Sequence, residues 1–380
     1  MCNTRIPEPR SSKLKITELE NIKDMQRLCV AKIEEIDPFV KHIVLGPAEP
    51  GQELASFTPG QFISIAYQID GSTCTRPYSL TSTPRDAAEG HYDIYLGKAG
   101  FTSTWAFENL KEGDIVYGSV PFGHFTYDPE SGTKQIIGIA GGFSVTPLHS
   151  IAKAIVEGDL DAEMVLFSGW DHSYEIMLRD DYKEYSEQSD KFKYIFIVAD
   201  EAEASAMPDA EPGYISLDLI KKYAGHFDLD NAYYLVCGPQ EMYEALDEEL
   251  SSLAFPASHY KTEIPGEVKD PLVFPEYPAE KANETFTIHV YRGNCAGGEE
   301  IDIPALATET IEVALERAGL TYQARCRSGA CGSCLSKMDE GAIFVPSRWD
   351  TRTDEELDEG LIHPCCSFPL SDIKLTLPLK

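Results

Sequence analysis

Three cysteines stand close together near the end of the chain, and a fourth follows further on. Cys326, Cys331 and Cys334 have the spacing C-x4-C-x2-C, and Cys365 completes the set. With this spacing, four thiolates can hold both irons of a [2Fe–2S] cluster. The alternatives are zinc or a disulfide pair, but zinc knuckles usually need two C-x2-C pairs and only one is present. The pattern therefore predicts these four thiolates as metal ligands.

A second group of side chains combines a cation, an aromatic ring and hydroxyls. Arg76, Pro77, Tyr78 and Ser79 are consecutive, and Thr81 follows two positions later. On a strand, Arg76 can pair with a phosphate while the Tyr78 ring packs on a planar ring system. Ser79 then points the opposite way, toward the edge of that ring. The alternative is a surface strand with an ordinary arginine.

Small residues also stand where predicted helices begin, at positions suited to phosphate groups. A helix N-terminus offers free backbone N–H groups, and glycine lets a phosphate approach the backbone closely. The pair Gly141-Gly142 directly follows a predicted strand, which makes it more specific than an isolated glycine pair. For each turn the alternative is a plain connection without a ligand. The candidates are Gly100 and Ser103, then Gly141, Gly142, Thr146 and Pro147, and finally Cys237, Gly238 and Pro239.

The elements that must position these residues fall into blocks with different hydrophobic patterns. Short β-type runs separated by Pro/Gly turns come first, and their even spacing predicts a small antiparallel β-barrel. Apolar runs that alternate with amphipathic stretches follow, and they predict a doubly wound α/β domain with a parallel sheet. The predicted strands are 40–45, 61–67, 92–96 and 114–120, then 136–140, 164–168, 194–198 and 233–237, and last 286–291 and 373–377.

The domain boundaries follow from these blocks and from the distribution of proline. A segment with four prolines among many charges cannot form a continuous helix or ladder, so it is predicted to be a semi-rigid linker. The first residues are polar, with a helix-like stretch from Thr17 to Leu28. The predicted units are an N-terminal extension at 1–28, a β-barrel at 29–132, an α/β domain at 133–261, the linker at 262–284 and a last domain at 285–380.

Composition excludes several classes of function. The 380-residue chain carries a formal net charge of −31, which argues against direct contact with nucleic acid. No uninterrupted apolar stretch reaches the length of a membrane span and no signal peptide is recognisable, so a cytoplasmic location is expected. The densest acidic run, 350–359, lies between Cys334 and Cys365. Such a run is usually a solvated face, but beside a cluster it can also steer a redox partner.

Taken together, these motifs resemble the ferredoxin–NADP reductase superfamily in its fused form. The resemblance covers residues 29–380 and implies a flavin-binding β-barrel, a Rossmann-like NAD(P) domain and a plant-type [2Fe–2S] ferredoxin domain of the α+β β-grasp class. The implied cofactors are FAD, with FMN as the alternative, the cluster, and NADH or NADPH. The implied activity is that of an NAD(P)H-dependent oxidoreductase. Electrons would pass from nicotinamide through flavin and cluster to a partner redox protein, such as an oxygenase component or another metalloenzyme.

The resemblance also assigns roles to individual residues. The family's R-x-Y-S motif falls on Arg76 for the flavin phosphate, Tyr78 for the face of the isoalloxazine and Ser79 for its N5 edge. Glu263 resembles the glutamate that often follows the nicotinamide domain, so Ser79 and Glu263 are the catalytic candidates. The family's phosphate-binding turns fall on the glycine-containing segments named above, and Pro77 and Thr81 belong to the flavin segment.

Two residues depart from the family pattern, and a third residue suggests which nucleotide is preferred. Ser144 occupies the third glycine position of the Gly141-Gly142 turn, so its hydroxyl either weakens nucleotide binding or replaces a contact. Cys366 stands where the family carries glutamine, and Cys365 keeps the ligand position. If the segment is extended, adjacent side chains face opposite ways, and Cys366 points away from the cluster. Asp171 can accept from ribose hydroxyls and would repel a 2′-phosphate, which favours NADH.

Two other functions remain open at the level of sequence. The altered turn at Ser144 can have abolished nucleotide use, which would leave an electron carrier that another protein reduces. Zinc in the cysteine loop would leave a structural module without redox chemistry. Flavin bleaching by NADH separates the first alternative from a reductase, and metal analysis decides the second.

Overall fold

Three larger β-sheets follow one another along the described part of the chain and meet around one cavity, and a two-stranded sheet accompanies the third. The computed structural model describes residues 25–69, 72–263, 266–292, 299–320 and 324–377. None of the helices in these ranges is both long and apolar enough to cross a membrane.

The first sheet is antiparallel, with the strand order β4-β3-β6-β1-β2-β5. It curls so that its edges meet, where the Thr81 N–H donates to the carbonyl of Asp93 at 2.9 Å. Burial alternates along β5, as expected of strands with one face on a core. The elements are β1 (Met25–Asp37), β2 (Val40–Pro47), β3 (Phe62–Ile69), β4 (Ser72–Ser79), α1 (Pro84–Ala88), β5 (Tyr92–Gly97), α2 (Phe101–Asn109) and β6 (Ile115–Ser119). The predicted barrel is confirmed as this curled sheet.

The helix predicted from Thr17 to Leu28 is wrong where it can be compared. Met25 to Leu28 belong to β1 and pair with β6 in an antiparallel ladder. Residues 17–24 lie outside the described residues. The ladder to β6 outweighs the local helical pattern, because pairing and burial of Leu28 depend on residues distant in sequence.

The second sheet is entirely parallel, with the order β10-β9-β8-β7-β11-β12. Apolar clusters cover both of its faces, which explains the continuous hydrophobic runs of its strands. The strand order reverses at β7, and ligands bind parallel sheets at the carboxyl ends beside such a point. The elements are β7 (Gln135–Gly141), α3 (Thr146–Val156), β8 (Glu163–Trp170), α4 (Arg179–Gln188), β9 (Phe192–Val198), α5 (Glu201–Ala206), β10 (Ala210–Pro212), α6 (Leu217–Ala224), β11 (Tyr233–Cys237), α7 (Gln240–Leu250) and β12 (Tyr260–Glu263).

The third sheet is mixed, with the order β14-β13-β19-β15-β17. Strands β13 and β19 are parallel, and α8 packs against the apolar face of the sheet. The predicted α+β class is confirmed. The elements are β13 (Thr285–Arg292), β14 (Glu299–Leu306), α8 (Ile311–Arg317), β15 (Ser336–Glu340), β16 (Ile343–Phe344), α9 (Asp354–Asp358), β17 (Leu361–Ile362), β18 (Phe368–Pro369) and β19 (Ile373–Leu377).

The proline-rich segment between the second and third sheets is packed rather than free. Phe274 and Tyr277 are buried beside Phe344 and Phe368 of the third sheet region. The Tyr277 hydroxyl donates to the carbonyl of Ala307 at 3.0 Å. From 266 to 284 the described chain contains only short 3-10 turns, as the prolines predict. The exact domain boundaries stay predictions.

Candidate functional site

A cavity of about 1650 Å³ lies where the three sheets meet. Side chains from β4, from the turn that follows β7, and from the ends of β11 and β12 line it together with the cysteine loop. Most residues predicted from the sequence are among them. The predicted residues that line it are Arg76, Pro77, Tyr78, Ser79, Gly100, Ser103, Thr146, Pro147, Cys237, Glu263, Cys326 and Cys331.

Strand β4 presents a cation and an aromatic ring to the cavity. All hydrogen bonds from Arg76 to described residues leave from Nη1, and its side chain keeps 19% of its surface exposed. The Tyr67 hydroxyl donates to the Tyr78 hydroxyl at 3.1 Å, which fixes the Tyr78 ring. Burial raises the pKa of Tyr78 to about 12, so the phenol stays neutral. This strand fits a flavin, because a partly exposed cation and a fixed neutral ring face the same space.

Helix α2 begins at the same cavity. Gly100, its N-cap, has φ +80°, a conformation that glycine adopts without a steric penalty. The Ser103 hydroxyl donates to the carbonyl of Ala99 and accepts from its N–H at 3.1 Å. Ser103 therefore holds the turn that exposes the helix N-terminus, and its hydroxyl is already used within the turn.

The glycine turns after β7 and β11 pack against each other. A Cβ added at Gly141 would lie 2.6 Å from Pro239, and one at Gly238 would lie 2.1 Å from Met242. Gly142 has φ +57°, which also favours glycine. The packing between the two turns therefore involves Gly141, Gly238 and Pro239, which do not line the cavity. The cavity lining includes Thr146 and Pro147 instead.

Ser144 lines the cavity beside Cys237 and is not on the outer surface of the turn. It is buried, and its hydroxyl forms a hydrogen bond with the thiol of Cys237. Burial raises the pKa of Cys237 well above its usual value, so this cavity-lining thiol stays protonated. The hydroxyl that replaces the family's glycine thus orients Cys237.

Glu263 ends β12 beside Cys237 and lines the cavity. Burial, with a smaller contribution from the negative charge of Cys326, raises the pKa of Glu263 to about 8. At neutral pH its carboxyl group is therefore mostly protonated, and it can donate a hydrogen bond or a proton.

This raised pKa predicts how stability depends on pH. Between the ordinary value of 4.5 and about 8, native Glu263 keeps a proton that the unfolded chain releases. The free energy of unfolding should therefore decrease as pH rises through this window, and the decrease should be smaller in Glu263→Gln. Urea midpoints across the window measure it. Glu248→Gln, an exposed change on α7, should keep the wild-type slope. An unchanged slope in Glu263→Gln would contradict the raised pKa.

The four predicted ligand cysteines form one connected group. The Cys326 sulfur is hydrogen-bonded to Cys331 and Cys365, and the Cys334 and Cys365 sulfurs are 3.3 Å apart. The N–H groups of Ser328 and Gly329 point at the sulfurs of Cys326 and Cys365, at 3.5 and 3.4 Å. Four sulfurs with amide donors toward them fit a [2Fe–2S] cluster.

Cys366 faces a different environment from Cys365. Its sulfur lies 3.6 Å from the carbonyl of Trp349 and packs in an apolar cluster with Phe344 and Phe368. Cys365 packs instead with Cys334. The segment is not extended, since Pro364–Cys366 is a 3-10 turn, and this turn separates the two side chains.

The turn residues Gly141, Gly142, Gly238 and Pro239 and the buried cysteines Cys334 and Cys365 do not line the cavity, and two further predicted residues also lie outside its lining. Thr81 is buried behind the end of β4, where its hydroxyl donates to the carbonyl of Asp93 at 3.1 Å. Its predicted contact with a cofactor is therefore not supported, because the strand ends at Ser79. Asp171 is exposed just after β8, at the carboxyl edge of the parallel sheet. That edge is where the nucleotide ribose was expected.

Sequence reasoning missed a buried charge cluster beside the cysteine loop. Arg327 is fully buried and pairs with Glu267 and Glu316, at 2.9 and 2.8 Å. Glu316 also accepts from Arg76 at 3.0 Å. Charged residues spread from position 76 to 327 leave no local pattern, so only the tertiary fold brings them together.

Comparison with known domain families gives three matches in the order of the three sheets. Residues 28–127 match the "Oxidoreductase FAD-binding domain", residues 139–248 the "Oxidoreductase NAD-binding domain", and residues 296–370 the "2Fe-2S iron-sulfur cluster binding domain". The chain belongs to the fused ferredoxin–NADP reductase superfamily. It is an NAD(P)H-dependent oxidoreductase with a flavin domain, a nucleotide domain and a ferredoxin domain.

Individual members of this superfamily align along most of the chain. The glycine betaine monooxygenase reductase subunit of Pseudomonas aeruginosa is 26% identical over 330 residues, covering 83% of this chain and 86% of the relative. The stachydrine N-demethylase reductase subunit of Rhizobium meliloti is 23% identical, covering 86% and 90%. The solved structure of phthalate dioxygenase reductase superposes with a TM-score of 0.61 at 22% identity, covering 93% of this chain and 98% of that one. This last likeness supports the fold.

Proposed function

We propose that this reductase oxidises NADH and delivers single electrons, through its flavin and [2Fe–2S] cluster, to the oxygenase component of a multicomponent oxygenase. The observation that carries the proposal is that the flavin-binding strand and the cysteine loop line one cavity. Arg76, Tyr78 and Ser79 face it from one side, and Cys326 and Cys331 from another. Its relatives named as reductase subunits of a monooxygenase and a demethylase support a separate partner.

The residues around the cavity have separate roles in binding the flavin and the nicotinamide. Arg76 holds the flavin phosphate, Tyr78 supports the ring face, and Ser79 offers a hydroxyl to its reactive edge. Cys237 and Glu263 bound the space where the nicotinamide must lie, next to the carboxyl ends of β11 and β12. The bound flavin supplies the conversion of one two-electron donor into two single-electron transfers.

The acidic surface of the ferredoxin domain supports a basic or neutral docking partner. Helix α9 exposes Asp354, Glu355 and Asp358, and the whole chain has a net charge of −31. One-sign surfaces accelerate the encounter of oppositely charged proteins. The proposed partner therefore presents a basic face to the region of α9.

The test of this function is an anaerobic titration with NADH. Flavin takes two electrons and the cluster takes one, so full bleaching should need about 1.5 equivalents of NADH. Visible absorbance reports the flavin, and electron paramagnetic resonance reports the reduced cluster. A preparation that holds zinc and no iron would contradict the proposal. A loaded protein that NADH does not bleach would instead favour the electron-carrier alternative.

We further predict that NADH is preferred over NADPH. Asp171 lies at the carboxyl edge of the parallel sheet, where its charge favours ribose hydroxyls and repels a 2′-phosphate. Replacing Asp171 with alanine should lower the ratio of kcat/KM for NADH to kcat/KM for NADPH by about tenfold. A tenfold change corresponds to a difference of roughly 1.4 kcal/mol in transition-state free energy. Asp190→Ala, an exposed change away from that edge, should leave the ratio unchanged. A wild-type preference for NADPH would refute the assignment of Asp171.

A further inference from the structure

The flavin domain and the ferredoxin domain contact each other beside the cluster ligands. The Ser64 hydroxyl donates to the carbonyl of Arg325 at 2.6 Å, and the Thr75 hydroxyl donates to the carbonyl of Ala324 at 2.5 Å. These two carbonyls immediately precede Cys326 in the chain. Strands β3 and β4 therefore hold the start of the cysteine loop directly.

Glu316 of α8 connects the same strand to the same loop through charge. Its carboxylate accepts from Arg76 at 3.0 and 3.1 Å and from the Thr75 N–H at 3.2 Å. It also accepts from Arg327 at 2.8 and 3.1 Å. One carboxylate thus bridges an arginine of the flavin-binding strand and an arginine next to a cluster ligand.

The burial of this bridge makes it specific. The side chain of Glu316 is 6% exposed and that of Arg327 is 0% exposed. A buried ion pair has a geometry fixed by its hydrogen bonds, and it is costly to break on one side only. Glu267 provides a second carboxylate to Arg327 at 2.9 Å. Burial raises the pKa of Glu312, which lies 3.8 Å from Arg327, well above its usual value, so this carboxyl group is protonated and uncharged. The two arginines, Arg76 and Arg327, therefore face two charged carboxylates, Glu267 and Glu316.

We infer that Glu316 is a positioning residue that fixes the ferredoxin domain against the flavin-binding strand for electron transfer between the two cofactors. This inference rests on the proposed function. Electrons arrive at the flavin as a hydride from NADH, which leaves as NAD⁺. They depart one at a time, each reducing the cluster by one electron before the partner protein takes it. Glu316 takes part in neither the hydride transfer nor the electron transfer. It sets the position of the cysteine loop relative to the flavin-binding strand.

The experiment separates the two transfers in anaerobic stopped-flow mixing of the loaded protein with NADH. In Glu316→Gln, flavin bleaching should keep its rate while reduction of the cluster slows by about tenfold, because misplacement penalises only the second transfer. Hydrogen exchange of the oxidised protein, without turnover, should rise at Thr75 and around Ala324. Loss of flavin bleaching in the wild-type protein would contradict the proposed function, whereas unchanged cluster reduction in the variant would contradict only the role of Glu316.

Two further variants keep this test decisive if Glu316→Gln does not fold. The pair Ser64→Ala with Thr75→Val removes two neutral hydrogen bonds of the same contact and leaves every charge in place, so it should also slow cluster reduction. Glu309→Gln is the matched control, because Glu309 pairs with Arg317 inside the ferredoxin domain. If Glu309→Gln slows cluster reduction equally, or the neutral pair leaves it unchanged, the inference is overturned.

Discussion

We expect the Cys365→Ser variant to lose its [2Fe–2S] cluster while NADH still bleaches its flavin. Cys365 packs with Cys334 and accepts from the Gly329 N–H, so its loss opens the ligand group at a buried position. The flavin strand and the nucleotide turns belong to other parts of the chain. The visible absorbance of the cluster, its resonance signal and the iron content should fall together, and the rate of flavin reduction should stay near that of the wild type.

The matched control for this prediction is the neighbouring cysteine. The Cys366 sulfur lies against the carbonyl of Trp349 in an apolar cluster, so Cys366→Ser should retain the iron and the cluster spectrum. We also expect Cys366→Ser to have a modestly lower free energy of unfolding, because the serine hydroxyl is more polar than the thiol in this apolar packing. If Cys366→Ser alone loses the cluster, the ligand set shifts by one residue and the assignment of Cys365 is wrong.

Removal of the Ser79 hydroxyl should slow hydride transfer to the flavin by about a hundredfold, the usual effect of losing one preorganised donor at a reacting group. Ser79 is the last residue of β4 and lines the cavity next to Tyr78. Ser79→Ala should keep its flavin and its cluster, since Arg76 and the cysteines are unchanged. Single-turnover bleaching with NADH measures the step directly.

Thr81 supplies the comparison for Ser79, because the sequence motif includes both hydroxyls. The Thr81 hydroxyl bonds to the carbonyl of Asp93, away from the cavity. Thr81→Val should therefore change the rate of bleaching by less than about threefold and act mainly on stability. Equal losses of rate in Ser79→Ala and Thr81→Val would show that the flavin motif reaches further along the chain than the structure indicates.

The sequence predicted those parts of the protein that depend on neighbouring residues. Continuous apolar runs such as 136–140 and 233–237 coincide with the buried strands β7 and β11, because two covered faces leave no polar positions. The cysteine spacing is likewise local. The flavin motif was placed correctly at the cavity, except at Thr81, because strand alternation cannot be extended past the end of β4.

What the sequence did not predict depends on contacts between distant segments. Strand β1 exists because it pairs with β2 and β6, and nothing within Met25–Leu28 specifies that ladder. The hydrogen bond of Ser144 depends on Cys237, which comes from a distant strand. The partnership of Arg76 with Glu316 joins residues 240 positions apart, which no spacing rule can detect.

The mutual packing of the two glycine turns has a consequence for engineering this reductase. Gly141 rests on Pro239, so the turn after β7 has no room for a new side chain unless the turn after β11 is rebuilt. A Cβ at Gly238 would meet the Met242 side chain of α7 first, and the Gly141 nitrogen would lie 3.3 Å away. Exchanging one nucleotide-binding loop for that of a relative would create a collision across β7 and β11. A chimaera intended to change coenzyme choice therefore has to transplant both turns, with the first residues of α7, as a single unit.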